Sequence, residues 1–174
     1  MSAVCKGFSD SMKGELPSDP KKILEEHGPA LNKILQERAG KVVDTMKEDG
    51  RKFAEGFMAA NPEAIQTDTG LVYLSMTEGT GKMPTITDTV EVHYHGQLTD
   101  GTVFDSSVDR GQTISFPLSN VVKAWQEGVA LMKEGGKATL ICPSDIAYGD
   151  NGSGETIPPG ATLKFEVELF KVGA

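Results

Sequence analysis

The chain has 174 residues, of which 24% are charged, and a formal net charge of −8. That length buries a core without covalent staples and fits one domain plus an extension. Residues 1–66 carry 10 Lys/Arg against 11 Asp/Glu and residues 67–174 carry 7 against 14, so the acidity sits in the C-terminal part, where it repels phosphate and anionic lipid and excludes nucleic acid and a membrane surface as partners.

Met1 to Leu16 shows no sustained periodicity and is expected to be a loose arm. Ser18-Asp19-Pro20 signals a helix start, with Ile23 and Leu24 behind it, and His27-Gly28-Pro29 is expected to stop that short helix. A second helix is predicted from there to about Ala60, ahead of Asn61-Pro62. Along it Leu31, Ile34, Leu35, Ala39, Val42, Val43, Met46, Phe53 and Phe57 recur at three- and four-residue steps, interrupted near Asp49-Gly50. A helix of roughly 30 residues is some 45 Å long, more than one small domain covers. The stripe therefore either meets a second copy or packs in part on its own domain.

From Leu71 the period changes to two. Val90, Val92 and Tyr94 alternate with Glu91, His93 and His95; Ala138, Leu140 and Cys142 with Lys137, Thr139 and Ile141; Leu163, Phe165, Val167 and Leu169 with Lys164, Glu166 and Glu168. This is the pattern of antiparallel strands with one buried face. Asn120 to Met132 reads as the only helix among them. A sheet with one apolar face curls around such a helix, which gives an α+β fold: a curved antiparallel half-barrel around one short helix, with a helical region in front. The expected boundary separates a leader of residues 1–66 from a domain of residues 67–174.

Several short motifs fail on inspection. His93-Tyr94-His95 places two imidazoles on one strand face, but no third ligand is readable and no metal is expected. Gly79-Thr80-Gly81-Lys82 lacks the earlier glycine and following hydroxyl of a phosphate loop, and Gly149, Gly152 and Gly154 precede Ile157-Pro158-Pro159, where no dinucleotide-binding helix starts. Cys142 falls on the apolar side of its strand, a small hydrophobe rather than a nucleophile. Two cysteines make no disulfide framework, and with no apolar run of bilayer length or signal-peptide core the expected location is cytoplasmic. A targeting peptide removed upstream would leave no trace.

Five islands occupy the C-terminal two-thirds: Val92-His93-Tyr94-His95-Gly96, Gly101-Thr102-Val103-Phe104-Asp105-Ser106-Ser107, Ala124-Trp125-Gln126-Glu127-Gly128-Val129, Ala147-Tyr148-Gly149 and Ile157-Pro158-Pro159-Gly160-Ala161-Thr162-Leu163. In order and spacing they resemble the FK506-binding type of peptidyl-prolyl isomerase, the FKBP family, over about Leu71 to Val172. A helical lead into Thr69-Gly70-Leu71-Val72-Tyr73 is similar to the Mip-type and FkpA-type members, in which the leader dimerises.

The resemblance implies acceleration of rotation about X-Pro bonds. The barrier is roughly 18–20 kcal/mol because rotation breaks amide resonance, and nothing covalent changes, so no cofactor is implied. It places Trp125 under the proline ring with Val121 and Val122 beside it, and Tyr94, Phe104, Phe116 and Phe165 as aromatic walls. Ile157 would close the cup and offer its backbone N–H to the substrate, Tyr148 a phenol, and Asp105 a carboxylate beside the twisting amide. The implied ligands are proline-containing peptides or unfolded proteins, and the macrolides tacrolimus and rapamycin. Ala124, Thr156 and Ser153 depart from common family residues, the last two on the rim. A second reading makes the domain a binding module or chaperone that grips proline segments with little catalysis.

Overall fold

A computed structural model describes residues 20–173, with side chains from Gly28 onward. The arm with Cys5, the Ser18-Asp19 cap and the side chains of Ile23, Leu24 and His27 lie outside the described residues. The chain divides into two compact units, Met1–Gly40 and Lys41–Ala174.

The expected break at His27-Gly28-Pro29 does not occur. Helix α1 runs unbroken over Pro20–Ala60 with Pro29 inside it. A proline disfavours helix at the preceding residue through a clash of its Cδ with that residue's Cβ. Gly28 has no Cβ, so the helix continues and forfeits one backbone hydrogen bond. In the first unit Leu31, Ile34 and Leu35 are exposed, and in the second so is Val42.

The second unit is a seven-stranded antiparallel sheet: β1 (Ile65–Gln66), β2 (Val72–Thr77), β3 (Thr89–Leu98), β4 (Val103–Ser106), β5 (Ile114–Pro117), β6 (Lys137–Cys142) and β7 (Leu163–Val172). The order is β1-β2-β6-β7-β3-β4, with β5 also pairing β3. The long central pair of the sheet, β3 and β7, runs from Val90 opposite Val172 to Leu98 opposite Leu163, with a register shift between Glu91 and Val92. On its inner face Val92, Leu140, Val167 and Leu169 pack with Trp125 and Val129 of helix α2 (Lys123–Ala130), as the alternation predicts.

Helix α2 is shorter than Asn120 to Met132. Leu118–Asn120 form a 3-10 turn, and Val121 and Val122 are extended, with ψ of 172° and 152°. Their branched Cβ atoms disfavour helix and suit that conformation.

Strand β6 also differs from expectation. Ile141, predicted to face outward, is wholly buried, and Thr139 is buried too. Phe53, Ala54, Phe57 and Met58 of α1 cover the outer face at Val72 and Ile141. The far half of the leader stripe is thereby taken up by the chain's own sheet, and this part of α1 and β1 lie in one compact unit with residues 67 onward.

Candidate functional site

The strand β3 alternation that buries Val90 and Val92 also turns Tyr94 inward, and β7 turns Phe165 inward beside it. Between them the first turn of α2 delivers Trp125, whose ring meets Phe165 edge-on at 5.2 Å and 90°, Tyr94 at 5.3 Å and Phe116 at 5.6 Å. Phe104 meets Phe165 edge-on at 5.5 Å. Edge-to-face contacts at these distances fix ring orientation. The result is a cup of about 410 Å³. Nine of the ten residues expected at the site line it: Tyr94, Phe104, Asp105, Phe116, Val121, Val122, Trp125, Tyr148 and Phe165.

Asp105 is held from two sides. The Tyr94 phenol donates to one carboxylate oxygen and the Arg110 guanidinium to the other, while Arg110 also donates to the Tyr94 oxygen at 3.0 Å. Partial burial would raise the Asp105 pKa, but the hydrogen bonds from Tyr94 and Arg110 outweigh it and hold the carboxyl below the usual range. Burial, and then the bond to Asp105, push the Tyr94 phenol up. At neutral pH the carboxylate is therefore charged and the phenol is a donor, and neither is a ready proton carrier. Sequence reasoning missed Arg110. A charged Asp105 at the edge of an apolar cup calls for a cation, and the only arginine after Arg51 stands five residues on.

The loop from Pro143 to Thr162 supplies the remaining groups. Tyr148 reaches the rim as a residue 37% exposed, and burial raises its pKa, with the field of Asp105 adding to it, so it too keeps its proton. Ile157, the tenth residue, is buried in the adjoining core. Its N–H, expected to face a substrate carbonyl, donates to Ser153 O at 3.1 Å, and Ser153 N–H returns to Ile157 O at 2.9 Å. Ser153 thus closes the loop tip through its backbone, while its side chain and that of Thr156 are exposed.

Elsewhere, His93 Nδ1 pairs with Ser107 Oγ and His95 Nδ1 with Ser106 Oγ, each at 2.9 Å. Cys142 is fully buried, which pushes its thiol pKa up and leaves it unreactive. A larger cleft of about 530 Å³ lies between α1 and the strand ends, but Lys47, Glu48, Arg51 and Asp145 line it without an aromatic ring, so it offers nothing to a proline.

Residues 80–170 match the family of FKBP-type peptidyl-prolyl cis-trans isomerases. The chain is 43% identical over 176 residues to a probable FKBP-type isomerase FkpA of Neisseria meningitidis serogroup B, covering 97% of this chain and 65% of that protein. It is 50% identical over 105 residues to an FK506-binding protein of the same organism, covering 59% of this chain and 96% of that one. The crystal structure of FkpA from Escherichia coli superposes with a TM-score of 0.82 at 33% identity, over 98% of this chain and 80% of that one. The chain spans less than two-thirds of the length of the FkpA relatives it matches, from 65% down to 45%. With this sheet, this aromatic cup and these matches, the chain belongs to the FKBP-type peptidyl-prolyl cis-trans isomerase family.

Proposed function

We propose that the chain accelerates cis-trans rotation of X-Pro bonds in peptides and unfolded proteins. The observation that carries this is the cup itself, with Trp125 as floor, Tyr94 and Phe165 edge-on to it, Phe116 tilted against it, and a fixed charge from Asp105 at one side. A planar amide separates charge between oxygen and nitrogen, and water favours that separation; rotation abolishes it. Moving the bond from water into an apolar cup therefore disfavours the planar ground state more than the twisted one. Tyr148 then holds the chain in the twisted pose, and the Tyr94–Asp105–Arg110 set fixes the wall against which the amide turns.

A protease-coupled assay on an X-Pro peptide tests this. Asp105→Ala and Phe165→Tyr should each lower the rate roughly tenfold to a hundredfold, a decade corresponding to about 1.4 kcal/mol of barrier. Folded variants with wild-type rates would remove the site assignment, and an inactive wild-type chain that still binds proline peptides would make the domain a binding module.

The cup should also take tacrolimus and rapamycin, which present a ring in place of proline; the likeness to a relative named for FK506 supports this. The homodimer belongs to the same proposal, narrowed by the covering of Phe53 and Phe57. Leu31, Ile34, Leu35 and Val42 remain exposed on one helix, at steps that put them on a common face, and such a face suits a second copy. Sedimentation of the full chain tests it, a monomer at tens of micromolar being the contrary result.

A further inference from the structure

Tyr148 sits in a 20-residue connection between β6 and β7 that has no strand of its own, only two short 3-10 turns, Ser144–Ile146 and Gly149–Asn151. A rim group on such a segment needs a support, because a small displacement at a reacting centre lowers rates steeply. The support comes from α1. Val43, Lys47 and Gly50 lie four and three residues apart on one helix face, and all three meet this loop or its end.

Lys47 Nζ stands 2.7 Å from Asp145 Oδ1 and 2.7 Å from Asp150 Oδ1. These carboxylates flank Tyr148 at three residues before and two after. A Cβ added to Gly160 would lie 2.9 Å from Val43 O, and one added to Gly50 would collide with the Thr162 side chain, so helix and loop end are in close contact. Gly160 N–H in turn donates to Gly149 O at 3.0 Å, joining that contact to the residue after Tyr148. An isolated surface ion pair contributes little. Here one ammonium, on a side chain 33% exposed, holds two carboxylates together, and although those are 72% and 65% exposed its removal leaves them to repel across the base of the Tyr148 turn.

The geometry points to Lys47 as a positioning residue of the isomerase: through Asp145 and Asp150 it fixes the Tyr148 loop against α1 and keeps the phenol on the rim of the cup. This rests on the isomerase reading above. It makes the second half of α1 part of the active-site support.

The test uses the full chain and five proteins: wild type, Lys47→Arg, Lys47→Met, Lys47→Met combined with Asp145→Asn and Asp150→Asn, and the control Lys133→Met. Isomerase kcat and KM are measured on an X-Pro peptide, with amide hydrogen exchange at Gly160. Lys47→Met should lower kcat roughly threefold to tenfold, the size of a modest coupling between a remote contact and a site, with KM within about twofold and faster exchange at Gly160. Lys47→Arg should recover most of the rate, and neutralising both aspartates should recover part of it by removing the repulsion. Lys133→Met, which breaks the Lys133–Glu78 pair elsewhere, should leave the rate unchanged.

An active wild type with equal kcat in Lys47→Met overturns the proposal, as does a loss that neither Lys47→Arg nor the neutralised loop relieves. An inactive wild type instead sinks the isomerase reading; exchange at Gly160 then decides the brace alone, a rise in Lys47→Met upholding it and no change overturning it.

Discussion

Gly96 stands opposite Phe165 in the β3–β7 register, and a Cβ at Gly96 would lie 2.9 Å from Phe165 Cε1. It would also lie 2.7 Å from Phe104 Cζ, so the two walls of the cup converge on a position that has room for hydrogen only. Gly96→Ala should push both rings off their edge-on contact. Overpacking of this kind costs about 1–3 kcal/mol. A lowered denaturant midpoint with a slower X-Pro rate is expected; a variant with wild-type values in both would mean that the rings yield freely.

The Asp105 carboxyl is held below its usual pKa in the folded chain, so it contributes stability that is present above the unfolded value and lost as the pH falls through the folded one. The difference in unfolding midpoint between wild type and Asp105→Asn should be full at neutral pH and shrink only below about pH 4, the ordinary aspartate range. Unfolding titrations across acid pH measure it. Shrinkage that begins near about pH 6 would point to a different group.

Trp125 is the only tryptophan and forms the floor of the cup. Tacrolimus should therefore change its emission and inhibit the isomerase together, with the same midpoint. Inhibition without any fluorescence change would place the drug elsewhere.

Truncation separates the two halves of α1. Deleting residues 1–40 should leave the midpoint of the remaining unit near its original value, because the residues on Val72 and Ile141 are kept. Deleting 1–66 should lower its stability by roughly 3 kcal/mol or more, since uncovering each buried aliphatic side chain costs about 1.5–3 kcal/mol. Equal stability of the two fragments would show that the α1 contact contributes nothing.

The resemblance named the site residues, and strand alternation explains why two of them point into the cup. Once Val90 and Val92 face inward, Tyr94 must follow, and the same holds for Phe165 beside Leu163 and Val167. What could not be read depends on elements far apart in sequence. Ile141 alternates like an outward residue and is buried because Phe53 and Phe57, more than eighty positions earlier, lie on it. The Ile157 N–H is directed by Ser153, a choice made by the loop tip rather than by residue type. Pro29 misled for a local reason, the glycine before it.

The burial of β6 on both faces has a consequence for biosynthesis. Phe53 and Phe57 leave the ribosome well before Lys137–Cys142, the strand whose outer face they cover. At about 5–20 residues per second, the 80 residues between Phe57 and Lys137 take roughly 4 to 16 s to make. For those seconds the aromatic rings of the nascent helix have Val72 of β2 beside them but not Ile141, the other half of the surface they cover. A chain proposed to act on unfolded proteins thus begins life needing the same shelter that they need.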